Sequence, residues 1–165
     1  MAYTATALIR RSSGWEGEDL DLDGTADLDA AVDLLRDLAG ADRLVVAFVE
    51  ENDEYVAVLR VDGEDEPRLF MSDRRATEGA PLAGRLFADL APVAEETDGE
   101  DEPEETANPD AEPGGEAGLL ADLGTSAEQL LALCSEERML PSDVIFALCE
   151  MAGCVDVLEE VRGDV

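Results

Sequence analysis

The sequence predicts an α+β fold: an antiparallel sheet of about 4–5 strands with helices on one face, plus a small C-terminal helical cluster. Three observations carry this. Two apolar, β-branched runs, Leu44 to Val49 (LVVAFV) and Tyr55 to Val61 (YVAVLRV), flank the polar turn Glu51-Asn52-Asp53-Glu54. The segment Asp27 to Leu38 instead repeats its apolar residues at helical spacing. Beyond residue 118 every apolar cluster has helical spacing.

Taken in order, Tyr3 to Arg10 (YTATALIR) is rich in β-formers and small apolar residues and reads as a buried strand. Ser12-Ser13-Gly14 marks a turn, and Trp15 to Leu22 returns as an antiparallel strand. In the following helix Leu28, Ala31, Val32, Leu35 and Leu38 share one face, acids occupy the other, and Gly40 follows the end. Arg68 to Met71 is a third strong strand after the Asp62-Gly63 turn, and Pro81 to Leu90 is a helix on Leu82, Leu86, Phe87 and Leu90. Short turns between consecutive strands imply antiparallel pairing. The expected core anchors are Leu8, Trp15, Leu35, Val46, Phe48, Val56, Val58, Phe70 and Phe87.

Composition divides the 165 residues into an α+β domain (1–93), an acidic linker (94–118) and a C-terminal helical segment (119–165). The linker holds eleven acids, no base, three prolines and no large apolar residue, a composition that predicts disorder. In the tail, Leu119, Leu120 and Leu123 form one apolar turn stopped by Gly124. Thr125 with Glu128 fits a capping box, Pro141 fits a first helical turn, and Gly153 fits a helix end. Val155, Leu158 and Val161 mark a last short helix. A helical cluster of this size is marginal alone, so it docks on the front domain, on a partner or on a second copy. Read as an interaction module, it predicts that residues 1–93 fold without it.

The chain carries 42 acids against 11 bases, a net charge of −31; every base is Arg, and His is absent. Without His there is no imidazole base, no Ser-His or Cys-His nucleophile and no His-ligated metal. The zinc signature of nucleobase deaminases is missing too, so the chain is expected not to be an enzyme, with no catalytic, cofactor-binding or metal residues and no cofactor. Such acidity disfavours direct contact with nucleic acid or an anionic membrane and favours a basic protein partner. The same composition arises from a GC-rich coding bias or a salt-rich cytoplasm, and charge speaks to association rather than fold. No apolar run reaches membrane-spanning length, and Cys134, Cys149 and Cys154 lie in apolar helical contexts that suit reduced thiols; the expected location is cytoplasmic.

Three local patterns invite a chemical reading. Asp19-Leu20-Asp21-Leu22-Asp23-Gly24 opens like a Ca²⁺ loop and has Asp27 at position nine, but Ala30 stands where the bidentate Glu belongs. An acidic strand end leading into a helix explains it better. Three thiols without His fall short of a closed zinc site, and small buried side chains account for them. Arg10-Arg11 and Ser72-Asp73-Arg74-Arg75-Ala76-Thr77 hold the local basic pairs, which in so acidic a chain are expected to pair with neighbouring acids.

The opening TATALIRR, Trp15 followed by LDLDG, and DLDAAVDLLRDLAG before LVVAFVEENDEYVAVLRV form one part of a wider pattern. MSDRRAT and SEERMLPSDVIFALCEMAGCVDVLEEVR complete it. The whole resembles a family of small bacterial proteins, the tRNA adenosine deaminase-associated proteins. That resemblance implies no catalytic residues. It implies a non-catalytic accessory or regulatory role beside a tRNA adenosine deaminase or related tRNA-processing protein. Self-association through the C-terminal helices is a further partner expectation. Two alternatives stand beside it: an acidic nucleic-acid mimic that inhibits a basic protein, and a carboxylate/Arg enzyme of unknown reaction.

Overall fold

The computed structural model describes residues 3–11, 14–22, 24–25, 27–40, 44–51, 54–62, 66–87, 113–134 and 140–163. Six strands form one sheet: β1 (Tyr3–Arg11), β2 (Gly14–Asp19), β3 (Leu44–Glu51), β4 (Tyr55–Asp62), β5 (Arg68–Met71) and β6 (Gly114–Gly115). Their order is β2-β1-β3-β4-β5-β6, and every neighbouring pair is antiparallel. The strand count exceeds the expected 4–5 because of β6. This two-residue strand lies within the segment read as linker, and its glycines give no side-chain signal. Gly115 pairs with Phe70 at φ +92°, and a Cβ there would lie 2.1 Å from the Leu69 carbonyl oxygen. Only glycine allows that approach. The remainder of the linker, residues 94–112, lies outside the described residues.

Helix α1 (Leu28–Ala39) begins where the sequence placed it. The Asp27 side chain accepts the Ala30 amide, and Gly40 closes the end at φ +80°. Together with α2 (Pro81–Leu86) it covers one sheet face, where Ala5, Ala7, Ile9, Val45, Ala47, Val49, Ala57 and Leu59 point. The predicted last turn of α2, Asp89 and Leu90 included, lies outside the described residues.

The C-terminal segment comprises a 3₁₀ helix (Ala117–Leu123), α3 (Ala127–Cys134), α4 (Pro141–Ala152) and α5 (Val155–Gly163). It packs against the opposite sheet face, where Leu8, Val46, Phe48, Val56, Val58 and Phe70 meet Leu119, Leu120, Leu130, Ile145, Leu148 and Leu158. Helices therefore cover both faces of a central sheet. The expected anchors divide accordingly: Leu35 and Phe87 belong to the first core, Trp15 is half-buried beside the second, and the other six lie within the second. Of the three docking places open to the tail, the structure shows the front sheet.

One local expectation needs correcting. The capping box of α3 is formed by Ser126 and Gln129, not by Thr125 and Glu128. The Gln129 amide donates to Ser126 Oγ (3.1 Å) and the Ser126 amide to Gln129 Oε1 (2.9 Å). Thr125 is buried, and its hydroxyl faces Met151 Sδ at 3.5 Å. Its amide instead closes the 3₁₀ helix on the Leu120 carbonyl.

Candidate functional site

Within the Asp19–Gly24 string, residues 19–22 are extended and alternate sides, and Gly24 lies in a turn. Leu20 and Leu22 are buried, while Asp19 and Asp21 are exposed; Asp23 lies outside the described residues. The Leu20 amide donates to the Ala5 carbonyl and the Leu22 amide to Tyr3 Oη. The Leu22 carbonyl accepts from Thr25 Oγ1 (2.7 Å) and Arg85 Nη2 (2.8 Å). Asp27, the would-be ninth ligand, is the cap of α1. Among the described residues no group of three or more Asp, Glu or Cys is arranged to hold a metal.

The thiols sit in the interior between sheet and tail. Cys134 on α3 is half-buried, and burial pushes its thiol up to about 12. Cys149 and Cys154 are brought together by the way α4 ends: Gly153 takes the left-handed conformation, and the Cys154 amide returns to the Cys149 carbonyl (2.9 Å). This places the two side chains in the contact that accompanies such a helix end. Hydrogen bonding with Cys149 draws the Cys154 thiol below its ordinary range, against the opposing effect of burial. Cys154 also lines an apolar crevice with Leu8, Trp15, Phe48, Leu120 and Leu148.

The arginines whose contacts are described are engaged within the chain itself. Arg10 stacks over the Trp15 ring, 5.6 Å from its centroid, and Arg11 pairs with Glu16. Arg68 holds Glu116 through Nε (3.0 Å) and Nη2 (2.6 Å). Arg85 is on the Leu22 carbonyl, and Arg36 and Arg74 also have partners within the molecule. In the Ser72–Thr77 segment, Thr77 Oγ1 bonds the Arg74 carbonyl, and Ser72 Oγ accepts the Val56 amide at 3.0 Å. The side chain of Arg75 lies outside the described set.

Two polar clusters escaped the sequence reading. Arg60, buried in β4, donates through Nε to Asp62 (2.9 Å) and through Nη1 to the Leu119 carbonyl (2.5 Å). It also grips Asp122 with both terminal nitrogens (2.7 and 2.9 Å). Its one sequence signal is its position, a charge inside the apolar run YVAVLRV. The second cluster centres on Glu51, 2 % exposed at the end of β3. Its carboxylate accepts the Tyr55 hydroxyl (2.9 Å) and the Leu82 and Ala83 amides (3.1 and 3.2 Å) at the start of α2. Burial, reinforced by this carboxylate, raises the Tyr55 phenol far above its ordinary value. Both clusters fasten segments to the sheet.

Among the described residues the exposed charges are mainly acidic. Asp29, Asp33 and Asp37 form one stripe along α1, and Asp156, Glu159 and Glu160 are exposed on α5. Glu128, Asp143 and Glu150 continue the pattern on α3 and α4, and Glu16, Glu18 and Asp19 carry it onto β2. The arrangement is a carboxylate surface on both outer layers, suited to contact with a positively charged macromolecule.

No curated protein and no solved structure matched the chain. A family model did match, from residue 3 to residue 155, spanning the sheet and the helices up to the first residue of α5. The chain belongs to the Rv3753c-like tRNA adenosine deaminase-associated protein family.

Proposed function

We propose that this chain is a non-catalytic accessory or regulatory protein that binds a tRNA adenosine deaminase, or a related tRNA-processing protein, in the cytoplasm. One observation carries the reading. The arginines whose contacts are described are engaged inside the molecule, while the exposed faces of α1, α5 and β2 present carboxylates. A tRNA-binding enzyme carries the complementary positive face, and such pairing sets association rate and partner choice. The family description supports the identity of the partner.

The test is co-purification of the chain with the tRNA adenosine deaminase of the same cell. A complex at physiological salt that dissociates as salt rises is the expected result. The absence of a complex at micromolar concentrations of both proteins contradicts the proposal. Added tRNA reports where the contact lies: competition places it on the enzyme's basic substrate face, and a complex unaffected by tRNA places it elsewhere.

A further inference from the structure

We propose that the free edge of β2 is a docking strand, which takes up an extended, arginine- or lysine-bearing segment of a protein partner by adding it to the sheet. The inference rests on the reading above, in that the partner is a basic protein, and it goes further by naming the surface and the mode of contact.

β2 ends the sheet, paired with β1 on one side and with no described strand on the other. Which of its groups face outward follows from one hydrogen bond. The Leu20 amide donates to the Ala5 carbonyl at 2.9 Å, continuing the ladder in which Thr6 stands opposite Asp19. In an antiparallel pair the residues facing the partner strand alternate. Leu20, Glu18 and Glu16 thus direct their main-chain groups at β1. Trp15, Gly17 and Asp19 direct theirs away from it, as a row of donors and acceptors along the edge.

The edge is backed by α5. Gly17 lets α5 settle on the strand, for a Cβ there would lie 2.6 Å from Val161 and 2.8 Å from Val157. The opposite face at Glu16 and Glu18 is exposed. A strand added alongside β2 projects its side chains alternately to the two faces. On one face they meet Glu18, beside Glu16, which already holds Arg11; on the other they meet Asp19, with the exposed acids of α5 on the same side. Positive side chains match both.

Charge also decides against the other occupants. Residues 94–118 hold eleven acids and no base, so this chain's own acidic segment is repelled by β2. A second copy pairing edge to edge would bring Glu16 and Glu18 against their own counterparts, and like charges across a sheet destabilise it. Acids on an edge strand also serve to prevent such self-pairing. A basic strand is the occupant they admit, and main-chain addition supplies affinity without a deep pocket.

The probe is a short peptide of repeated Arg-Arg-Val-Val, which as a strand presents arginine to both faces, titrated at physiological salt into the full chain labelled for amide detection. The expected result is new exchange protection at the Trp15, Gly17 and Asp19 amides. A matched peptide N-methylated at every residue keeps the charge but has no amide to donate to the edge, and should bind about tenfold more weakly. Asp19→Pro removes one outward amide without touching the β1 ladder and should weaken the first peptide similarly, whereas Asp33→Asn on α1 removes a charge and leaves binding nearly unchanged. No protection on β2, or equal affinity for the two peptides, overturns the proposal. Where Asp19→Pro perturbs folding, the protection pattern and peptide pair on the native chain decide it. The deaminase supplies a separate readout. If it fails to bind while the peptide pairs, the enzyme partner is wrong and the edge stands. If it binds native and Asp19→Pro chains equally, the edge is not its dock.

Discussion

Arg60 and Asp122, sixty-two positions apart in sequence, form a two-pronged ion pair, Nη1 to Oδ1 at 2.7 Å and Nη2 to Oδ2 at 2.9 Å. The pair ties the middle of the sheet to the 3₁₀ helix that begins the C-terminal layer. Arg68 stands opposite Arg60 on β5 and repeats the device with Glu116, two residues beyond the start of β6. Two arginines on adjacent strands thus receive the returning chain at successive points and set its register against the sheet.

The hydrogen bonds from Arg60 hold the Asp122 carboxyl below its ordinary range. A folded-state value depressed below the unfolded one gives stability that is present above the unfolded value and lost as pH falls through the folded value. Asp122→Asn should therefore cost about 1 kcal/mol at neutral pH, a modest figure because the carboxylate side faces solvent. The native and variant unfolding curves should converge below the ordinary aspartate range. Denaturant titrations from neutral to acid pH check this; a difference that persists undiminished at the acid end contradicts it.

Glu51 answers to different physics, because its carboxylate is buried. Glu51→Ala leaves the Leu82 and Ala83 amides and the Tyr55 hydroxyl without their acceptor, an expected loss of about 3 kcal/mol or more. Tyr55→Phe removes one donor and leaves both amides satisfied, so about 1 kcal/mol is expected. Urea midpoints of the two variants test the ranking, and a Tyr55→Phe variant as damaged as Glu51→Ala would contradict this account of the cluster.

Gly17→Ala adds one methyl group where α5 has no room for it. The obstructing atoms belong to stiff β-branched valines, so α5 must shift from the sheet, with an expected cost of about 1–3 kcal/mol. Pairing Gly17→Ala with Val161→Ala should recover part of that loss. Thermal melts of the single and double variants measure the recovery, and its absence would mean that the contact does not limit stability.

The element boundaries were legible because local chemistry sets them. Asp27 and Gly40 bracket α1, Pro141 and Gly153 bracket α4, and β3 and β4 fall where valines cluster. The second core was written in the same residues and was read as one. Val46, Phe48, Val56 and Val58 interleave with Val45, Ala47, Ala57 and Leu59, so these strands are apolar on both sides. Continuous apolar runs of that kind call for cover on both faces. What stayed hidden is what depends on distance. The run Thr125-Ser126-Ala127-Glu128-Gln129 offers two overlapping capping boxes, and only the burial of Thr125 against Met151 selects the second. The partners of Arg60 and Glu51 lie on other segments, and β6 consists of glycines alone.

The two-sided sheet changes the outcome expected for truncation. Without residues 119–165, Leu8, Val46, Phe48, Val56, Val58 and Phe70 lose their cover, and exposed apolar area costs about 25 cal/mol per Å². Residues 1–93 alone should show no cooperative thermal transition by circular dichroism. A sharp melt with native strand content would instead support the sequence reading of the tail as a dispensable interaction module.

The central claim is that a carboxylate surface meets a basic tRNA-processing enzyme. Equilibrium binding of the full chain to the tRNA adenosine deaminase, measured over a series of salt concentrations, tests it most directly. The account predicts micromolar or tighter affinity at physiological salt, falling steadily as salt rises, since screening weakens contacts between exposed charges. No binding, or an affinity indifferent to salt, would contradict it.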